Sequence, residues 1–467
     1  MLPSFYGGEL TKENSDKVLE KLEEFTNCEV TFQFEANDTY GDKFGLTLMD
    51  RNNMPMILTA TGLITGTVIQ AAQQGAFWDL TPYLSEYEYL SQIDPDVLSA
   101  LTVNGQVVGI PKYREIGRYG FSYRTDWAEA VGITEEPKTI EDVYDMMYKF
   151  TYNDPDGNGK DDTYGMEMTQ YTGPWNIIQS WFGVGNGWVE KDGELVPVHE
   201  TEEYKEALEW MHKIYEEGLV RSDWASVPSS EWGNGTQSGQ AGIFIDTLDG
   251  GRRNWDYFTN NNVASVVDDT QLAKMNLVGP INGKTLATDG YNGYFLITKD
   301  GAKTEEDLRT CLDFLDKMNS VEMRTLADFG IEGLTYTLDE NGDVVMTTEI
   351  ELANLPHQGL NQAVAYQPAV LDGVLKVAQK ESQVAQADAY ARSREVAVFN
   401  PAVSYLTNSE TYANVATVIN QTIDDARTQF ICGSIDWAGF EAAVATWNSQ
   451  GGEKVKAEVN EQYKANK

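Results

Sequence analysis

Glu29-Val30-Thr31-Phe32-Gln33-Phe34, then Asp38 through Met49, then Ile57-Leu58-Thr59-Ala60-Thr61 and Val68 through Gln74 form the stretch that decides the fold. Val30, Phe32 and Phe34 fall on every second residue, the period of a strand with one covered face. Asp38 to Met49 reads as helix. Ile57 to Thr61 is a short apolar run punctuated by Gly62 and Gly66, and Val68 to Gln74 is again helical. Upstream, Val18, Leu19, Leu22 and Phe25 have the spacing of a helix beginning near Thr11. Strand and helix in alternation predict an α/β lobe with a covered, largely parallel sheet.

The same reading extends along the chain. Leu101 to Ile110 is a hairpin around Asn104-Gly105, and Leu338 to Val345 another around Asn341-Gly342. Phe121 to Arg124, Ala241 to Ile245 and Tyr294 to Thr298 are strands. Thr139 caps a helix over Ile140 to Phe150, with Asp142 placed for a capping box, and Thr201 opens one that Gly218 stops. Asp307 to Met318 is amphipathic. With 467 residues the chain exceeds one ordinary core, so two lobes are expected. No Ser/Gly/Pro-rich linker divides them, which predicts several crossings, at Gly109 to Arg118, Gly279 to Gly293 and Gly330 to Pro356. The expected division is 1–112 plus about 285–350 for an N-terminal lobe and 113–284 plus about 351–430 for a C-terminal lobe. Helices of 431–467 are expected to pack across both.

Composition limits the partners. Lys and Arg number 34 against 73 Asp and Glu, a formal net charge of −39, which repels nucleic acid and anionic lipid. The densest basic cluster is Lys112, Arg114 and Arg118. No run of about eighteen apolar residues occurs, so nothing is expected to span a membrane. Met1-Leu2-Pro3-Ser4 carries neither a basic nor an apolar leader region. This leaves open a cytosolic protein or one whose leader has been removed. Cys28, Cys311 and Cys432 give no disulfide framework and no metal spacing, and Cys311 reads as a small core residue.

Asp154-Pro155-Asp156-Gly157-Asn158-Gly159-Lys160-Asp161-Asp162 places side-chain oxygens at positions 1, 3, 5 and 9 of an EF-hand-type loop, with glycine at position 6. The expected ligands of a structural Ca2+ are Asp154, Asp156, Asn158, the Lys160 carbonyl and Asp162. Position 12 is Gly165 rather than glutamate, so the loop is partial. The alternative is a metal-free acidic turn.

Eleven tryptophans and 24 tyrosines exceed what a core requires, and a sugar offers flat C–H faces and a hydroxyl rim that suit aromatic platforms with amides and carboxylates. Trp175, after Gly173-Pro174, Trp232 in a polar loop, and Trp255 with Tyr257 after Gly250-Gly251 are candidate ligand contacts. Trp181, Trp188 and Trp210 read as packing. Tyr113, Glu115, Arg118 and Tyr119 follow a strand end, where ligands bind open α/β sheets, and Asp246 and Tyr291 are placed similarly. The alternative for the charged ones is a surface ion-pair cluster. His199, His212 and His357 form no zinc spacing. No nucleophile elbow or phosphate loop occurs. Paired glycosidase carboxylates leave no signature, so a glycoside-active enzyme stays open, as do a binder of another solute such as a peptide and a calcium-stabilised surface protein.

Tyr123-Arg124-Thr125-Asp126-Trp127, Val131-Gly132-Ile133 and Pro137-Lys138-Thr139-Ile140-Glu141-Asp142, with the acidic loop following, resemble the family 1 extracellular solute-binding proteins. These are the carbohydrate-binding lipoproteins of ABC importers, and the likeness is to the branch that includes alginate-binding proteins. Tyr215-Glu216-Glu217-Gly218-Leu219, Gly239-Gln240-Ala241-Gly242-Ile243 and Gly330-Ile331-Glu332-Gly333-Leu334 extend it along the chain. The resemblance implies a periplasmic-binding-protein type II clamp, α/β, with two discontinuous lobes around a hinge and an interlobe cleft. It implies a monomeric, non-catalytic, cell-surface lipoprotein that serves the permease subunits of an ABC transporter. Its ligand is expected to be an oligosaccharide. The acidity of this chain favours a neutral one, such as a manno- or xylo-oligosaccharide. Met56 stands where relatives often carry aspartate after proline.

Overall fold

The structure is a computed structural model that describes residues 1–4, 12–348, 360–364 and 373–465. Thr11, His357 and the end of the expected third crossing, 349–356, lie outside the described residues. Contacts divide the chain into two units, Met1–Arg114 with Asp289–Gln379, and Glu115–Thr288 with Lys380–Lys467. The chain therefore passes between them three times, at 114/115, 288/289 and 379/380.

In the first unit a three-stranded sheet has the strand Tyr291–Ile297 in the middle, between Ile57–Ala60 and Ile110–Tyr113. Both ladders are antiparallel, with Phe295 opposite Thr59 on one side and Ile110 on the other. In the second unit, Met275–Gly279, Tyr119–Arg124, Ala241–Thr247 and Tyr164–Met166 lie side by side, and only the last pair is parallel. The largely parallel sheet read from the sequence is thus corrected. Strands that neighbour in space come from distant segments, and in these two sheets all but the Ala241–Thr247/Tyr164–Met166 pair run in opposite directions.

Local rules hold where caps and turns are strong. Asn104 and Gly105 both take positive φ, 50° and 77°, as a two-residue hairpin turn requires. Thr139 and Asp142 close a capping box on Ile140–Tyr152, and Thr304 and Asp307 close one on Glu305–Lys317. The 29–34 strand shortens to Phe34–Ala36, because its parallel partner is the three-residue Leu2–Ser4. Residues 28–33 are irregular, yet Val30, Phe32 and Phe34 still turn inward in alternation.

The Arg124-Thr125-Asp126-Trp127 run is structural. Arg124 grips Asp126 bidentately at 3.1 and 2.7 Å, and its guanidinium lies 4.9 Å from the Trp127 ring and 5.2 Å from Phe258. Asp126 also accepts from the Trp127 and Val266 N–H groups. A buried pair needs all these partners to offset its desolvation. Glu410–Ile431, Trp437–Trp447 and Glu453–Ala465 form a smaller core around Ile419, Trp447, Val455 and Val459, within the second unit.

Candidate functional site

The seven-residue strand Ala241–Thr247 is buried throughout and carries Asp246 at its C-terminal end. The Asp246 carboxylate accepts from Trp232 Nε1 at 2.9 Å and from Tyr171 OH at 3.1 Å. The Trp232 ring lies 4.8 Å from Phe244, tilted by 38°, and meets Tyr171 edge-on at 5.5 Å. One carboxylate therefore fixes two amphipathic rings that remain partly exposed, Trp232 half-buried and Tyr171 36% exposed. Burial raises the Asp246 pKa, and the two hydrogen bonds oppose it. Arg118 is close enough for its charge to act on both Asp246 and Tyr171, and Tyr119 acts on Tyr171 as well.

Arg118 is itself held bidentately by Asp249 at 2.7 and 2.8 Å. Asp249 also receives Arg253 and the Tyr390 hydroxyl. Burial pushes this carboxyl up, but the two guanidiniums overcome it and hold it down at about 2. Glu115 pairs bidentately with Arg394 and accepts from the Gly117 N–H, so the ion-pair alternative describes its contacts.

The structure thus brings together Trp232, Asp246, Arg118 and Tyr119, and adds Tyr171 and Asp249, which the sequence reading missed. Tyr171 was signalled only by Gly173 two residues on. A Cβ at 173 would lie 2.3 Å from the Tyr171 ring, so the glycine leaves room for it. Other candidates lie elsewhere. Trp175 is fully buried against Trp224, ring centroids 5.5 Å apart, in the first turn of the helix Gly173–Trp181. Trp255 is a core residue of the helix Leu248–Asn260 and packs with Phe244 and Phe258. Gly250 and Gly251 are helical rather than loop, since a Cβ at 251 would lie 2.6 Å from Ser122 Oγ. Tyr257 is 37% exposed on the outer face of that helix. In the first unit, Tyr113 is opposite Tyr291, whose buried hydroxyl accepts from the Ile64 N–H at 3.2 Å.

The loop Asp154–Asp162 follows the helix Ile140–Tyr152 and is held by its own polar side chains. Asp154 accepts from the N–H groups of Asn158 and Gly159, both at 3.0 Å, and Asn158 Oδ1 accepts from Lys160. Asn158 Nδ2 bridges Asp156 and Asp162 at 2.7 and 3.1 Å. Burial first, with Asp154 and Asp162 adding to it, raises the Asp156 pKa. Among the described residues no group of three or more His, Cys, Asp or Glu side chains is placed to hold a metal. The glutamate missing at the twelfth position has a steric cause, since a Cβ on Gly165 would lie 2.8 Å from the Met147 backbone.

Among the described residues no helix is long and apolar enough to cross a membrane. The family model of the bacterial extracellular solute-binding proteins matches residues 9–323. Lipoprotein LipO of Bacillus subtilis (strain 168) is 34% identical over 460 residues, covering 96% of this chain and 89% of that protein. The polygalacturonan/rhamnogalacturonan-binding protein YtcQ of the same organism is 26% identical over 457 residues, covering 96% and 88%. A solved structure of the Streptococcus pneumoniae substrate-binding protein FusA, an EF-hand mutant in complex with fructo-nystose, superposes with a TM-score of 0.63 at 17% identity. It covers 100% of this chain and 99% of that one. The match to the family model and the nearly full-length 34% likeness place this chain among the bacterial extracellular solute-binding proteins, which are binding components and not enzymes.

Proposed function

We propose that this protein captures an oligosaccharide outside the cytoplasm, as a lipid-anchored monomer, and delivers it to the permease subunits of an ABC transporter. The observation that carries this reading is the Asp246 carboxylate holding the Trp232 and Tyr171 rings as a partly exposed platform. An aromatic platform takes the C–H face of a pyranose, while nearby charged and phenolic groups take its hydroxyls. Ligand contacts that favour a closed arrangement of the two lobes would drive capture, because only differential affinity shifts such an equilibrium. Stacking and hydrogen bonding together fit a micromolar affinity, roughly −8 kcal/mol.

A neutral ligand, a manno- or xylo-oligosaccharide, is favoured because Arg118 and Arg253 near the platform are both engaged by Asp249. An acidic oligosaccharide is the second reading. Lys112 donates to the neutral Gln362 at 2.5 Å, with burial lowering its pKa to about 8, and YtcQ is named for acidic polysaccharides. Isothermal calorimetry with xylo-, manno- and galacturono-oligosaccharides tests both, with chromatography of the recovered ligand. Saturable heat and uncut ligand are expected. Cleavage, or no heat from any of them, would overturn the proposal. The acidic loop is proposed to hold one structural Ca2+ through Asp154, Asp156, Asn158, the Lys160 carbonyl and Asp162. The oxygen-bearing side chains spaced along this one turn support this, as does the EF-hand named for FusA.

A further inference from the structure

Cys28 and Cys311 meet at one cavity of the first unit. Cys28, half-buried, lies in the irregular segment after the helix Lys12–Thr26, and Cys311 is buried on the helix Glu305–Lys317. Cys28 Sγ donates to the Thr26 carbonyl at 3.5 Å, and Lys317 Nζ donates to the same carbonyl at 2.8 Å, which ties the two elements together. Both thiols line a cavity of about 350 Å3 with Phe32, Phe314 and Leu315. Burial, then the charges of Asp307 and Cys28, push the Cys311 thiol up to about 12. Cys432 belongs to the other unit, beside Tyr215.

We infer that Cys28 and Cys311 form a disulfide when the protein meets a disulfide-class oxidant outside the cytoplasm. The setting rests on the extracytoplasmic reading above. The pairing itself does not, because it is tested on the purified chain. In the balanced exchange, the Cys28 thiolate attacks the oxidant's S–S bond, forming a mixed disulfide and releasing one thiolate. Cys311 loses its proton to solvent and attacks the Cys28 sulfur, releasing the second thiolate. Two protein thiols become one cystine, and one oxidant disulfide becomes two thiols. A bridge needs its two Cα atoms within about 7 Å of each other, and residues 28–33 carry no strand ladder that closing it would have to break.

The purified full chain is incubated with glutathione disulfide, quenched in acid and unfolded. Its thiols are then counted with an aromatic disulfide reagent, alongside intact mass. Titratable thiols are expected to fall from three to one, leaving Cys432. The mass should drop by about 2 Da, and the oxidised form should melt higher because the cross-link constrains the unfolded chain. Cys28→Ser and Cys311→Ser should form no bridge, and Cys432→Ser should bridge like the parent. Retention of all three thiols, or a stable glutathione adduct on Cys28 with Cys311 still titratable, would overturn the inference.

Discussion

Replacing Asp246 with asparagine keeps the shape of the side chain and removes one acceptor. The carboxylate receives Trp232 Nε1 at 2.9 Å and Tyr171 OH at 3.1 Å. An amide offers one oxygen and turns an NH2 toward the other donor, so one of the two bonds is lost. A hydrogen bond to a charged group contributes about 1.5–3 kcal/mol. Relief of the desolvation that raises the Asp246 pKa offsets part of this, which leaves a net loss of about 1–2 kcal/mol. The unpinned ring must then be ordered again on ligand binding, at about 0.5–1.5 kcal/mol. Calorimetry on Asp246→Asn should therefore show oligosaccharide affinity weaker by up to about tenfold. The melting midpoint should fall by a few degrees. The pH dependence has a definite sign. A carboxyl whose pKa is raised on folding binds its proton more tightly in the native state, so its contribution to stability rises as pH falls through that raised value. The asparagine variant lacks this component. Parental affinity together with parental melting in the variant would refute the role given to the carboxylate.

His199 packs edge-on to Trp447, 4.7 Å between centroids, and burial with the Lys456 charge lowers its pKa to about 3. The unfolded chain takes up this proton first, so stability is lost below about pH 6.5, by about 2 kcal/mol at pH 5. Denaturant midpoints at pH 7 and 5 should converge in His199→Gln relative to the parent. Gly173→Ala puts a Cβ 2.3 Å from the Tyr171 ring, which must swing off Asp246. Calorimetry should show weaker ligand binding, and denaturant unfolding followed by circular dichroism a stability loss of about 1–2 kcal/mol, since the same charged hydrogen bond is broken. Chelator should lower the melting midpoint and Asp156→Ala should abolish that response; an unchanged midpoint with chelator counts against calcium in the loop.

The parts of the fold legible in the sequence were those decided within a few residues. Thr139 with Asp142 and Asn104-Gly105 each state a cap or turn locally. Strand pairing was illegible, because Tyr291–Ile297 finds partners that precede it by most of the second unit. In the site, Asp246 and Trp232 were visible as polar and aromatic residues at a strand end and in a polar loop. Tyr171 was not, since its position depends on a carboxylate 75 residues away. Trp175 and Trp255 misled for a shared reason. Glycine beside an aromatic can mark a loop or a helix pressed close to its neighbours, and only the packing partner, Trp224 or Ser122, tells which.

The central position of the Tyr291–Ile297 strand has a consequence for biosynthesis. Ile57–Ala60 and Ile110–Tyr113 emerge early but flank a gap that nothing fills until all of Glu115–Thr288 has been made. Met1–Arg114, about a quarter of the 467 residues, is thus held without its sheet during translation, a state suited to threading through an export channel. A fragment ending at Arg114 would carry two edges and no middle.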